Sequence, residues 1–139
     1  MKTPSIDNTI QLVENYTECW KQLNHYLLLA RSNKFESDDE MQFLEIKSVL
    51  AQQLELVLAA VRCPFPTREE VHKLLSDTPS LRYLSDVGED VLRSVESRWH
   101  RIYIGWQSIL GQMKVKQQEK PAKGFSFSAL FGRTAHRAA

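Results

Sequence analysis

The residues 86–119 read DVGEDVLRSVESRWHRIYIGWQSILGQMKVKQQE and carry the clearest structural signal in the chain. When successive residues are placed about 100° apart around an axis, the apolar side chains of this stretch fall within an arc of about 120°. They are Val91, Leu92, Val95, Trp99, Ile102, Tyr103, Trp106, Ile109, Leu110 and Met113. The pattern predicts a helix of about 30 residues with one apolar face.

Two glycines lie within the apolar pattern of residues 91–113. Gly105 and Gly111 lie on the side of the helix opposite the apolar arc, and a glycine inside a helix costs up to about 1 kcal/mol relative to alanine. Their position predicts either the close approach of another segment or simple tolerance.

A second long amphipathic helix is predicted near the start of the chain. Ser5 is a suitable N-cap, and the pattern fades near Ser32 and Asn33. The apolar arc is wider here, about 160°, which predicts contact with two neighbouring elements. It contains Ile6, Ile10, Leu12, Val13, Tyr16, Trp20, Leu23, Leu27, Leu28 and Ala30.

A third long helix is predicted from Asp39 to Arg62, with Ser37 or Asp38 as its cap. Its first half has one apolar face, but apolar residues surround the axis across 54–61. A helix that is apolar all round is usually covered on several sides. We therefore expect this helix to be central.

Shorter elements fill the region between the helix predicted from Asp39 to Arg62 and the long helix predicted within residues 86–119. The sequence CPFP at 63–66 stops a helix, because prolines remove donors and force extended geometry on the preceding residues. Thr67 and Glu70 have the spacing of a capping box, which predicts a short helix ending near Asp77. Thr78 and Pro79 then favour one further helical turn.

These elements predict an all-α fold: an antiparallel helical bundle of three long helices plus one or two short helices. The predicted organisation is a helical bundle domain over residues 1–119 and a flexible, basic and aromatic C-terminal tail over residues 120–139. Trp20, Trp99 and Trp106 lie within the apolar arcs, so we expect them to fill the core.

Composition excludes several classes of protein. The chain has 139 residues, 42% hydrophobic and 25% charged, with two cysteines and few Gly or Pro, which argues against collagen-like, disulfide-scaffold and wholly disordered proteins. Asp7 and Glu14 interrupt the region where a signal peptide would need an apolar run. No apolar run approaches the roughly 18 residues that cross a bilayer. We expect a reducing, cytoplasmic setting for the thiols of Cys19 and Cys63.

Charge is divided along the chain. Residues 1–97 hold 10 Lys and Arg against 16 Asp and Glu, whereas residues 98–139 hold 8 against 1. Such asymmetry is typical of a chain with a partner-binding end.

The tail segment, residues 120–139, combines apolar side chains with unopposed positive charge. Four apolar tail anchors and four tail cations are the predicted partner-binding residues. The tail anchors are Phe125, Phe127, Leu130 and Phe131; the tail cations are Lys120, Lys123, Arg133 and Arg137. An extended segment would align Phe125, Phe127 and Ala129, and a helix would align Phe127, Leu130 and Phe131. Folding of the tail back onto its own bundle is the structural alternative.

Residues with catalytic or ligating potential form no complete motif. Glu69 and His72 have the Glu-x-x-His spacing of dimetal bundles, but no second copy follows. Glu96 and His100 lie one helical turn apart, where a carboxylate orients an imidazole. We interpret His72 as a surface histidine beside a helix start and Glu96 with His100 as a structural pair, and we predict no catalytic residue, no metal site and no cofactor.

The sequence thus predicts a non-enzymatic protein–protein interaction module, a scaffold, tether or regulator, with a C-terminal docking motif. Self-association through opposite charges is a further expectation. The alternatives are peripheral membrane association through the basic aromatic tail and nucleic-acid binding. The latter would use Arg93, Arg98, Arg101, Lys114, Lys116 and the tail segment.

Overall fold

The structure is a computed structural model that describes residues 5–119. Five α-helices make up this part of the chain, and it contains no strand. In chain order they are α1 (Ile6–Arg31), α2 (Ser37–Val61), α3 (Arg68–Ser76), α4 (Leu81–Asp86) and α5 (Glu89–Gln118). The predicted all-α bundle of three long and two short helices is confirmed. The tail segment lies outside the described residues.

The helix starts follow local hydrogen bonds. The Ser5 hydroxyl accepts from the Asn8 amide at 3.1 Å, as predicted for the cap of α1. The cap of α2 is Glu36 rather than Ser37 or Asp38, because the Asp39 carboxylate accepts from the Glu36 amide at 2.9 Å. The helix therefore begins at Ser37, two residues earlier than predicted.

The short helix α4 lies directly before α5 and is separate from it. The Ser80 hydroxyl caps α4 by accepting from the Tyr83 amide at 3.0 Å. Gly88, with a φ of 97°, then separates α4 from α5. Only glycine adopts this conformation without strain, so α5 begins at Glu89 instead of near Asp86.

The central helix is α1, which packs against α2, α4 and α5. The expectation that α2 is central is wrong. Only Phe43, Leu50, Leu54 and Val57 of α2 are buried, and Leu56 is 61% exposed. The apolar residues all round α2 thus reflect a helix with one buried face and an outer face that the other described residues leave uncovered.

Aromatic side chains fill the space between α1 and its neighbours. Trp20 and Trp106 are fully buried and Trp99 nearly so, as predicted. The Trp99 indole donates to the Trp20 carbonyl at 2.8 Å, and the Tyr16 hydroxyl donates to the Leu50 carbonyl at 2.7 Å. Burial raises the pKa of Tyr16, so its hydroxyl remains a donor. These two bonds fix α5 and α2 against α1.

The direction of the helices follows from contacts at both ends of the bundle. Gln117, at the end of α5, donates to Asp7 at the start of α1. Arg31, at the end of α1, pairs with Glu89 at the start of α5. Helices α1 and α5 are therefore antiparallel, and the short connector after Arg31 places the start of α2 at the opposite end of the bundle from the end of α5.

Candidate interaction surface

All eight residues predicted to bind a partner lie outside the described residues. They are the tail anchors Phe125, Phe127, Leu130 and Phe131 and the tail cations Lys120, Lys123, Arg133 and Arg137. The candidate surface that the structure does describe lies on the bundle.

This surface is a groove along the outer face of α2, which we call the α2 groove. Met41 and Leu44 form its apolar centre and are 67% and 46% exposed. Two adjoining open depressions share these residues, with volumes of about 590 and 440 Å³. Asp38 and Glu45 line the first depression, and Phe35 and Arg82 line the second. Solvent therefore contacts a concave apolar strip with charged edges.

The acidic residues near the α2 groove fall into two groups. Glu40 is used structurally, because its carboxylate accepts from the Leu81 amide at 2.7 Å and the Arg82 amide at 3.1 Å. These bonds satisfy amides at the start of α4. Asp38 and Glu45 are exposed and have no ion-pair partner within residues 5–119. Their negative charge is available to an incoming ligand.

Sequence reasoning missed this groove. The pattern in the first half of α2 drew attention to the face containing Phe43, Ile46 and Leu50. Met41 and Leu44 are one helical turn apart, on a different side of the same helix. That spacing was a visible signal, but its meaning depends on which neighbours cover α2.

The Glu96 carboxylate does not orient His100. It accepts from Arg31 Nε at 2.7 Å, and its other oxygen accepts from a terminal Arg31 nitrogen at 2.8 Å. The same arginine also pairs with Glu89 at 2.8 Å. Arg31 thus holds α1 to α5 through two carboxylates, which supports the structural interpretation of Glu96.

Most of the cations proposed for nucleic-acid contact on α5 are paired with acids. Arg98 contacts Asp77 at 2.8 Å, Arg101 contacts Glu70 at 2.9 Å, Arg93 contacts Glu89 at 3.4 Å and Lys114 contacts Glu14 at 3.1 Å. Glu70 is therefore bonded to α5 instead of closing the predicted capping box. A phosphate would have to compete with these carboxylates for the same cations.

The remaining candidates for chemistry are scattered. Glu69 and His72 are both exposed, and residues 5–119 contain no group of three or more His, Cys, Asp or Glu that could hold a metal ion. Cys19 and Cys63 are free thiols. Burial raises the pKa of both, and Glu18 raises that of Cys19 further. A raised thiol pKa lowers the thiolate fraction, which is the opposite of what a reactive cysteine needs.

Among the helices in the described part of the chain, none has both the length and the apolar character that a membrane crossing requires.

Comparison with known proteins found no matching family model, no matching curated protein and no matching solved structure.

Proposed function

We propose that this chain is a non-enzymatic protein–protein interaction module that scaffolds, tethers or regulates a partner. The single observation that carries the proposal is the α2 groove, where Met41 and Leu44 stay exposed beside carboxylates that have no ion-pair partner among residues 5–119. Methionine is among the residues enriched where proteins bind one another, and polar residues typically surround the apolar centre of such surfaces.

The use of polar side chains elsewhere supports the same proposal. Glu96, Glu70 and Asp77 accept from arginines and hold α5 to α1 and α3. These residues position helices, and their hydrogen-bonding capacity is largely spent on that role. The free thiols of Cys19 and Cys63 suit the cytoplasmic setting that we propose for the module.

The tail segment supplies the docking motif in this proposal. Its anchors provide apolar contact area, and its cations have no acidic residue among them from position 120 onward. Aromatic side chains supply much of the binding free energy in protein interfaces. We therefore assign the partner contact to the anchors first and to the cations second.

The test compares immobilised full-length chain with two variants in extract from the source organism. One variant replaces Phe125, Phe127 and Phe131 with serine and keeps every charge. The other replaces the four tail cations with glutamine and keeps every aromatic ring. At physiological salt, where the Debye length is about 8 Å, we expect the serine variant to lose the retained partner and the glutamine variant to bind it more weakly.

The reverse order, with retention that falls steeply as salt increases, would contradict a protein partner. Co-sedimentation with anionic phospholipid vesicles would then identify membrane association. Retention of duplex DNA by the full-length chain, lost in the glutamine variant, would identify nucleic-acid binding.

A further inference from the structure

We infer that the α2 groove binds the tail segment of a second copy of this chain. This inference rests on the proposed function and names both the partner and the surface. The ligand is a basic segment with phenylalanine anchors, and the receptor is an apolar strip edged by carboxylates.

The shape of the groove suits such a ligand. The apolar centre formed by Met41 and Leu44 lies between two open depressions of about 590 and 440 Å³. Phe35, which also packs against the bundle core, closes the second depression. Aromatic rings favour methionine and other aromatic side chains as neighbours, so the groove offers contacts for more than one tail anchor.

The charges of the two surfaces are complementary. Asp38 and Glu45 line one depression without an ion-pair partner in the described residues, and the tail segment carries four cations and no acid. Arg82 is the cation that lines the second depression. We therefore expect the tail cations to lie toward Asp38 and Glu45, and an anchor to lie toward Phe35 and Arg82.

The distance from the end of α5 to the α2 groove distinguishes binding of the chain's own tail segment from binding of the tail segment of a second copy. The end of α5 lies beside the start of α1, as the Gln117–Asp7 contact shows. The groove lies near the other end of α1, which has 26 residues and a length of about 39 Å. Met41 is about one turn into α2, so it lies roughly 30 Å along the axis from the end of α5.

A fully extended chain advances at most about 3.5 Å per residue. Phe125 can therefore lie no more than about 21 Å from Glu119, which is too short to reach Met41 at the apolar centre of the groove in its own bundle. Leu130 and Phe131 can lie up to about 38 and 42 Å away, so the chain's own tail could place its last two anchors there but not its first. A second copy has no such restriction, and reciprocal exchange of tails closes a two-fold dimer.

The experiment uses three full-length variants and sedimentation velocity. The groove variant carries Met41→Lys and Leu44→Lys, both at exposed positions. The tail variant carries Phe125→Ser, Phe127→Ser and Phe131→Ser. The matched control is Leu56→Lys, which makes the same kind of change at an exposed leucine of α2 outside the groove.

We expect the wild-type chain and the Leu56→Lys control to associate at micromolar concentration. The groove and tail variants, each measured alone, should associate at least about tenfold more weakly. An equimolar mixture of the two should regain association, because one chain supplies an intact tail and the other an intact groove. The mixture should remain weaker than wild type, since it has one contact where the reciprocal dimer has two.

A monomeric wild-type chain, or a mixture that stays monomeric, would overturn the inference. Circular dichroism of each variant checks the fold. If the groove variant loses helicity, Asp38→Lys with Glu45→Lys replaces it, and the same mixture is measured. A monomeric wild-type chain that still retains an extract partner through its tail phenylalanines would reject this inference and keep the proposed function. A wild-type chain that is monomeric and also retains no extract partner would reject both this inference and the proposed function.

Discussion

Gly105 and Gly111 both lie on α5 but have different surroundings. A Cβ atom built on Gly105 would lie 3.0 Å from the Phe65 ring and 3.0 Å from the Pro66 ring, whereas one built on Gly111 would meet nothing within 4 Å. Pro66 is buried, and the Phe65 ring lies 4.5 Å beneath the Arg101 guanidinium. The sequence predicted either the close approach of another segment or simple tolerance of glycine. The structure shows a close approach at Gly105 and open space at Gly111.

We predict opposite effects for the two alanine substitutions. Gly111→Ala should raise the free energy of unfolding by up to about 1 kcal/mol, because alanine costs less than glycine in an open helical position. Gly105→Ala should give a free energy of unfolding about 1–2 kcal/mol below that of Gly111→Ala, because the added methyl group overpacks the contact with Phe65 and Pro66. Urea denaturation of both variants measures the difference. Equal stabilisation by both would show that the contact at Gly105 is loose.

At the scale of elements, carboxylate–guanidinium pairs attach α5 to α1 and α3. The Arg31 pair lowers the pKa of Glu89, and Arg98, with Lys73, lowers the pKa of Asp77. A carboxylate whose pKa is lower in the folded state stabilises the fold at pH values above its ordinary pKa of about 4. That contribution is lost as the pH falls through the folded-state pKa.

We therefore predict that the urea midpoint falls when the pH is lowered from about 7 to below 3. The Asp77→Asn variant should be less stable than wild type at neutral pH and should lose less on acidification, because one of the titrating groups is gone. Fluorescence of the buried tryptophans follows both transitions. A midpoint that stays constant or rises in acid would show that these pairs contribute nothing to stability.

The bounds of the elements show how much of the fold the sequence determines. Periodicity and caps predicted α1 and α3 closely, because Ser5 and Thr67 act through bonds to amides three residues away. The start of α2 was predicted too late, since Glu36 and Asp39 form a capping pair that apolar periodicity does not reveal. Local patterns therefore determine where a helix lies more reliably than where it starts.

Tertiary coverage was harder to predict than secondary structure. The role of α2 was misjudged because residues 54–61 were expected to be covered on several sides, whereas Leu56 in this stretch is 61% exposed. Which face of a helix is buried depends on how the other helices of the bundle pack against it. For the same reason the α2 groove could not be derived from the sequence. The partner-binding role of the tail anchors and tail cations stays a prediction.

At the scale of the whole molecule, the described residues form a continuous core. Apolar side chains from all five helices contribute to it, and Lys47 of α2 donates to the Thr78 carbonyl at 2.6 Å to hold the link between α3 and α4. The positive excess of the chain lies mainly at the far end, and the negative excess lies in the first 97 residues. We therefore assign folding to residues 1–119 and partner binding to the tail segment together with the α2 groove.

The melting temperature of a chain that ends at Glu119, compared with that of the full chain, tests this division most directly. We predict that the two melting temperatures agree within a few degrees, because all five helices of the described residues already share one apolar core, and that the shortened chain no longer binds the partner. A substantial fall in the melting temperature would contradict it, since the tail segment would then be folded onto its own bundle as part of the core.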